Sequence, residues 1–144
     1  MKVFNKKANY EYTLTDDRYE AGISLLGAEA KAIRTGHLDL GQSTARILNG
    51  EIWLINANIP AAQPPKNYNP TRLRKLLLHK NQIISLITKM KQQKLTLVPT
   101  KIYNKGRIFK VGLALGKYKR KFEKRQSIKK KDIQKEIEQE LKSR

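Results

Sequence analysis

Residues 69–80 read NPTRLRKLLLHK. Three consecutive leucines, Leu76, Leu77 and Leu78, stand among two arginines, two lysines and a histidine, just after a proline. The stretch is apolar enough for a core and basic enough for a polyanion surface, so its conformation decides how the rest of the chain packs. Asn69 is a good helix cap and proline suits a helix's first turn, which predicts a helix from Pro70-Thr71 to about Gln93. At about 100° per residue, Leu73, Leu76, Leu77, Ile83, Ile84, Ile87 and Met90 fall on one broad face. Arg74, Lys75, Gln82, Ser85 and Lys89 fall opposite. Leu78 lands among the polar residues and is expected to be exposed. Lys80 lands inside the apolar face, where its stem must snorkel past the core or the packed contact must end. The expectation is one helix with a core face and a basic face left for a partner.

Upstream, STARILNGEIWLINANI (residues 43–59) carries the clearest local signal. Two apolar-rich runs flank Asn49-Gly50, a dipeptide that tolerates the positive φ angles of a type I′ turn, which predicts a β-hairpin. LGAEAKAIRTG (26–36) reads as a short helix, with Glu29 in the first turn and Gly36 as its C-terminal cap. YTLTDDRYEAGISL (12–25) reads as two strand-like pieces around a polar turn at TDD. Residues 1–10 form a short basic arm. Downstream of the helix, KLTLVPTKIYNKGRIFKVGLALG (94–116) reads as a second hairpin turning at NKG. Within it Phe109 and Val111 flank Lys110, so alternation points that lysine away from the core. PAAQPPKNYNP (60–70) is a proline-rich loop. Several strands broken by one long and one short helix predict a mainly β fold, a small antiparallel barrel with helical insertions.

Two parts are expected: a domain over residues 1–116 and a basic tail over 117–144. The tail holds 12 Lys/Arg against 5 Asp/Glu. Its Ile133, Ile137 and Leu141 sit four apart, a stripe too thin to bury much surface. Isolated helices of this length are marginal in water, so the tail is expected to be disordered alone and helical when docked.

The chain has 144 residues, with 31 Lys+Arg against 12 Asp+Glu and a formal charge of +19. Such an excess costs stability through self-repulsion unless a polyanion offsets it by counterion release. Nucleic acid is therefore the leading partner class and an anionic membrane the second. The absence of cysteine excludes disulfides, thiolate nucleophiles and zinc knuckles. No run of about 18 apolar residues occurs, and MKVFNKKANY lacks the apolar stretch of a signal peptide, so a cytoplasmic protein is expected.

Catalytic and metal chemistry find little support. Asp16-Asp17 is better explained by turn chemistry than by metal binding. His37 and His79 are the only histidines. No serine or carboxylate stands at the spacing of a triad or metal site. GLALG lacks the Lys-Ser/Thr of a phosphate-binding loop. Among the aromatic residues Tyr10, Tyr12, Tyr19, Tyr68, Tyr103, Tyr118 and Phe122, the last two suit base stacking best, because the tail offers them no core. No catalytic residue, cofactor or metal is expected. A small nuclease using both histidines is the minor alternative to a binding protein.

Several stretches together resemble one family. NKKANYEYTL, YEAGISLLGAEAKAIRTG, NGEIWLINANI, NPTRLRKLLLHKNQI, LTLVPTKIY, KVGLALGK and KRQSIKKKD are similar, in order, to the SmpB family of SsrA-binding proteins, the partners of transfer-messenger RNA in ribosome rescue. The resemblance implies an oligonucleotide-binding-type barrel, no catalytic activity, and a protein that stands where a tRNA anticodon arm would be. The tail would enter the empty messenger channel of a stalled small subunit. The expected partners are transfer-messenger RNA and the ribosome, with no membrane and one copy of the protein on the RNA; a general RNA-binding or ribosomal structural protein is the alternative. The family's RNA-binding glutamate, leucine and lysine fall on Glu20, Leu77 and Lys110. Arg34, Arg72, Arg74 and Lys75 are the further side chains expected on the RNA surface. On the tail the expected ribosome contacts are Tyr118, Phe122, Glu123, Lys124, Arg125, Lys129, Lys130, Lys131, Ile133 and Ile137. The family's tail usually carries Asp-Lys-Arg after an aromatic residue or histidine; here the stretch is Phe122-Glu123-Lys124-Arg125, and glutamate adds a methylene.

Overall fold

Period-two alternation sets the architecture. The computed structural model describes residues 2–120 and, beyond them, Lys135 and Ile137, both helical and exposed. Seven strands form one antiparallel sheet: β1 (Lys2–Phe4), β2 (Tyr12–Ile23), β3 (Thr44–Leu48), β4 (Glu51–Ile55), β5 (Arg74–Leu77), β6 (Thr96–Lys105) and β7 (Ile108–Tyr118). Their order is β1-β6-β7-β2-β5-β4-β3. The sheet curls until β3 lies against β6. Among the described residues it stays open, with β1 and β3 as its edges. The expected oligonucleotide-binding-type barrel is thus present as a curled sheet without ring closure. Three helices accompany it among the described residues: α1 (Ala8–Glu11), α2 (Gly27–Arg34) and α3 (Lys80–Gln93).

The concave face is the core. Ala21, Ile52, Leu54, Leu76, Ile102, Val111, Leu113 and Leu115 point into it and are buried. Ala32 and Ile33 of α2 and Leu86 of α3 join the same cluster.

The local signals hold. Asn49 and Gly50 take φ 53° and 75° between β3 and β4, as a type I′ hairpin requires. Gly36 takes φ 78° just past α2. There the His37 and Gly36 N–H groups donate to the Ala32 and Ile33 carbonyls at 3.0 and 2.9 Å, closing a Schellman motif. The β6–β7 hairpin turns at Gly106-Arg107, slightly beyond the expected NKG.

The opening stretch departs from expectation. Its helix begins at Lys80, not at Pro70, and residues 74–77 are the strand β5. The Pro70-Thr71 signal belongs to a turn: Asn69 Oδ1 accepts from the Thr71 N–H at 3.0 Å, and the Arg72 N–H donates to the Asn69 carbonyl at 3.1 Å. β5 then fills the gap between β4 and β2, pairing Ile52↔Leu76 on one side and Gly22↔Leu77 on the other. Two ladders outweigh the weak helix preference of Arg, Lys and Leu. The side chains therefore alternate with period two. Arg74 and Leu76 are buried, whereas Leu73 and Leu77 are exposed. This reverses the helical-wheel reading for Arg74, Leu73 and Leu77. Leu78, expected outside, packs on the core; Ile84, expected inside, is exposed. Lys80 is simply the first, exposed residue of α3.

Two further corrections concern β2 and the N-terminus. TDD makes no hairpin: β2 runs through it as one strand whose register shifts between Leu14 and Arg18, a bulge opposite β7. The basic arm is ordered as β1 and α1. Asn5 is buried behind β1, its N–H donating to the Thr100 carbonyl at 2.7 Å and its Nδ2 to the Pro99 carbonyl at 2.9 Å. It serves the register shift that Pro99 marks in β6.

Candidate nucleic-acid interface

The convex face of the sheet assembles the polar residues that alternation turns outward. Antiparallel registers place directly opposed side chains on one side of a sheet. One row across four strands is Phe4 on β1, Lys101 on β6, Gly112 on β7 and Glu20 on β2. The next row crosses five strands: Lys2, Tyr103, Lys110, Gly22 and Leu77. At about 4.8 Å per strand the longer row spans roughly 19 Å. Glu20, Leu77 and Lys110 therefore share one face although they lie far apart in the chain. Leu77, with 52% of its surface exposed, belongs to this face and not to the core. Lys75, two residues before it on β5, lies on the same side and pairs with Glu51 at 3.1 Å.

Hydrogen bonding organises the face. Tyr103 donates its hydroxyl to Glu20 Oε2, and Lys105 Nζ stands 3.4 Å from Glu20 Oε1. The Tyr103 hydrogen bond, helped by Lys105 and Lys110, holds the Glu20 carboxyl below the usual carboxylate range. Burial, then the bond and charge of Glu20, push the Tyr103 phenol up to about 12. Glu20 is thus an anion and Tyr103 a neutral donor at neutral pH. Lys101 Nζ lies 5.2 Å from the Tyr103 ring centroid. Gly112 sits beneath that lysine: a Cβ there would meet Lys101 Cγ and Thr100 Oγ1 at 3.0 Å. The centre of the face is consequently low. A groove of about 650 Å³ opens over it, lined in part by Phe4, Arg18, Glu20, Lys101 and Tyr103.

A second cluster of like composition lies inside the protein. Glu29 and Arg74 are both fully buried. Arg74 Nε donates to Glu29 Oε2 at 2.7 Å, its Nη1 to the Ala57 carbonyl at 2.7 Å and its Nη2 to the Pro70 carbonyl at 2.8 Å. Arg72 reaches the same carboxylate through Nε at 3.0 Å and through Nη2. The Leu26 N–H, at the start of α2, donates to Glu29 Oε1 at 2.8 Å. The Tyr68 hydroxyl lies 2.6 Å from the Ile59 carbonyl oxygen and 3.1 Å from Glu29 Oε2. Burial pushes the Glu29 carboxyl up, but the bonds from Arg72, Leu26 and Arg74 outweigh it and hold the group below its ordinary range. This network ties α2, the proline-rich loop and β5 together.

The expected site residues therefore separate. Glu20, Lys75, Leu77 and Lys110 share the convex face. Arg74 has no exposed surface with which to touch RNA, and Arg72 is engaged with Glu29. Arg34 is exposed at the end of α2, its guanidinium 5.8 Å from the Phe109 ring centroid on the core side of β7. Tyr118 ends β7 opposite Tyr12, the rings edge to face at 5.5 Å. Ile137 is helical and exposed. Phe122, Glu123, Lys124, Arg125, Lys129, Lys130, Lys131 and Ile133 lie outside the described residues. Lys101 escaped the sequence reading, as did Phe4 and Arg18; Lys101 and Tyr103 flank the apolar Ile102, an alternation that marks both as outward.

Asp17 serves the fold: Lys89 of α3 bonds it at 2.9 Å. His37 Nδ1 lies 2.8 Å from Thr35 Oγ1, and the His79 N–H donates to Gln82 Oε1 at the start of α3. Both histidines thus stand at helix ends. Among the described residues no cluster of His, Asp and Glu suits a metal, and no helix is long and apolar enough to cross a membrane.

Comparison with known proteins bears on this surface. The model of the SmpB protein family matches residues 2–143. The SsrA-binding protein of Thermosipho africanus is 46% identical over 147 residues, covering 99% of this chain and 98% of that one. The SsrA-binding protein of Carboxydothermus hydrogenoformans is 44% identical over 142 residues, covering 97% and 95%. A chain in the solved structure described as "tmRNA-SmpB: a journey to the center of the bacterial ribosome" is 39% identical. It superposes with a TM-score of 0.68, covering 88% of this chain and 94% of that one. With a family model spanning nearly its whole length and relatives this similar end to end, the chain belongs to the SmpB family.

Proposed function

We propose that the protein binds transfer-messenger RNA through the convex face of its sheet and carries it to stalled ribosomes for trans-translation. The observation that carries the site assignment is the pair of cross-strand rows, which bring Glu20, Leu77 and Lys110 together with Lys2, Lys101 and Tyr103. Lysines supply phosphate contacts, Leu77 an apolar surface, and Glu20 an acceptor for base or ribose donors. Arg34 serves phosphates that approach from the side of α2. Arg72 and Arg74 act indirectly, by fixing β5 and so Leu77.

The protein works as an adaptor without turnover, in the cytoplasm, one copy per RNA, standing in for an anticodon arm. Residues beyond the sheet form the ribosome-facing part. Their positive charge suits the ribosomal RNA lining an empty messenger channel, which supplies the ordering energy that a thin apolar stripe does not. The test is a chain ended after Arg120, which keeps the Tyr12–Tyr118 pair and the Lys119 N–H bond to the Glu11 carbonyl. It should bind transfer-messenger RNA nearly as well as the full chain, yet add no tag to peptides stalled on a messenger lacking a stop codon. Full tagging by the shortened chain would rule out the tail mechanism.

A further inference from the structure

We propose that Phe4 is a stacking platform for one unpaired nucleobase of the bound RNA. The inference rests on the RNA-binding reading of the convex face and names what its β1 end recognises. Phe4 is 60% exposed, an unusual state for a large apolar ring on a strand. It is nevertheless held in place. Its backbone pairs opposite Lys101. The next residue, Asn5, is buried and hydrogen-bonded to Thr100 and Pro99. A flat ring on a fixed backbone loses little freedom when a second ring settles on it.

The surroundings select the occupant. Phe4, Lys6, Arg18, Lys101 and Tyr103 line one groove, with Glu20 in the same transverse row as Phe4. The cations repel a basic partner and draw a phosphate backbone across the groove. The absence of a Cβ at Gly112 leaves its middle low. A base inside a duplex shows only its edge, whereas an unpaired base offers a face, which aromatic rings bind with little regard to sequence. Edge pairing with another protein strand is disfavoured, because β1 is only three residues long, begins with Lys2 and is followed closely by Lys6 and Lys7.

Stacking and phosphate contact differ in their salt dependence, and this separates the proposal from general electrostatics. Transfer-messenger RNA is titrated with the full-length protein and with Phe4→Ala, Phe4→Leu, Phe4→Trp and Lys101→Ala over a range of salt, each variant's melting temperature being recorded. Phe4→Ala and Phe4→Leu should weaken binding about tenfold at every salt concentration, with the slope of log K against log salt unchanged. Phe4→Trp should bind at least as tightly as the native chain. Lys101→Ala should lower the slope by roughly 0.7–0.9. Native affinity for Phe4→Ala would overturn the proposal, as would a slope that falls with it or a tryptophan that fails to rescue. If the unaltered protein shows no salt-dependent affinity for the RNA, the fault lies with the reading of the whole face.

Discussion

Two carboxylates in this protein keep similar company and have different fates. Glu29 meets Arg72, Arg74 and Tyr68 inside the molecule; Glu20 meets Tyr103 and Lys105 on its surface, with Lys110 near. Both are held below the ordinary carboxylate range. For Glu29 the favourable bonds must first overcome burial; for Glu20 a phenol hydrogen bond leads and burial opposes it only in part. In the buried cluster no enclosed polar side-chain atom lacks a partner, so its interior offers a ligand nothing. The exposed cluster keeps solvent-facing lysines and a carboxylate edge. Basic residues next to one another in sequence, Arg74 and Lys75, fall on opposite sides of this division. Composition alone therefore says how much charge a stretch carries, whereas strand alternation says which charges a partner can reach.

The largest effect should come from breaking the buried cluster. Arg74→Ala leaves Glu29 without its fully buried counter-charge and should cost about 3–5 kcal/mol of stability, seen as a large fall in denaturant midpoint. Replacing both members, Glu29→Met with Arg74→Met, should recover most of that loss, because the uncompensated charge goes too. If the double variant is as unstable as the single one, the network is needed for more than charge balance.

Acid sensitivity should follow from the same group. The folded-state value of Glu29 lies below its ordinary 4.5. The unfolded chain then binds more protons in the window between the two values, so stability rises with pH there. The contribution is complete above the ordinary value and disappears as pH falls through the folded one. In Glu29→Gln this part of the acid-induced loss should vanish, leaving a flatter stability profile below about pH 4.5. An unchanged profile would mean that other carboxylates govern acid unfolding.

The exposed counterpart should behave oppositely. Leu77→Ser on the convex face should leave the melting temperature nearly unchanged while weakening RNA binding severalfold. Smallest of all, Glu51→Ala removes an exposed ion pair with Lys75 and should alter stability by no more than about 1 kcal/mol. A large destabilisation from either change would blur the contrast between the two regions.

What was legible in the sequence follows the same contrast. Asn49-Gly50 and Gly36 act through their own backbone angles, so the hairpin and the end of α2 were readable from a few adjacent residues. The fate of residues 74–77 was not, because β5 exists only through partners on β2 and β4 and through Glu29, 45 residues before Arg74. The cap chemistry of Asn69 is real, but it suits a turn as well as a helix start, and here it closes a turn. The bulge in β2 looked like a turn because Thr15, Asp16 and Asp17 suit both. On the surface, Lys110 could be turned outward by alternation between Phe109 and Val111. Leu77 could not, since a helical period turns it inward and only the period of the strand β5 turns it out.

The most direct test compares Lys110→Ala with Arg74→Ala in two measurements on the same samples, thermal unfolding and titration with transfer-messenger RNA over a range of salt. The native chain should show log K falling with a slope of roughly −3.5 to −4.5 if about five phosphates are engaged. Lys110→Ala should melt like the native protein, bind more weakly, and lose roughly 0.7–0.9 of that slope. Arg74→Ala should melt far lower and, where still folded, keep the native slope. A Lys110→Ala protein that loses stability in step with affinity, or an Arg74→Ala protein that stays stable and loses slope, would contradict the division between a buried framework and an exposed RNA face.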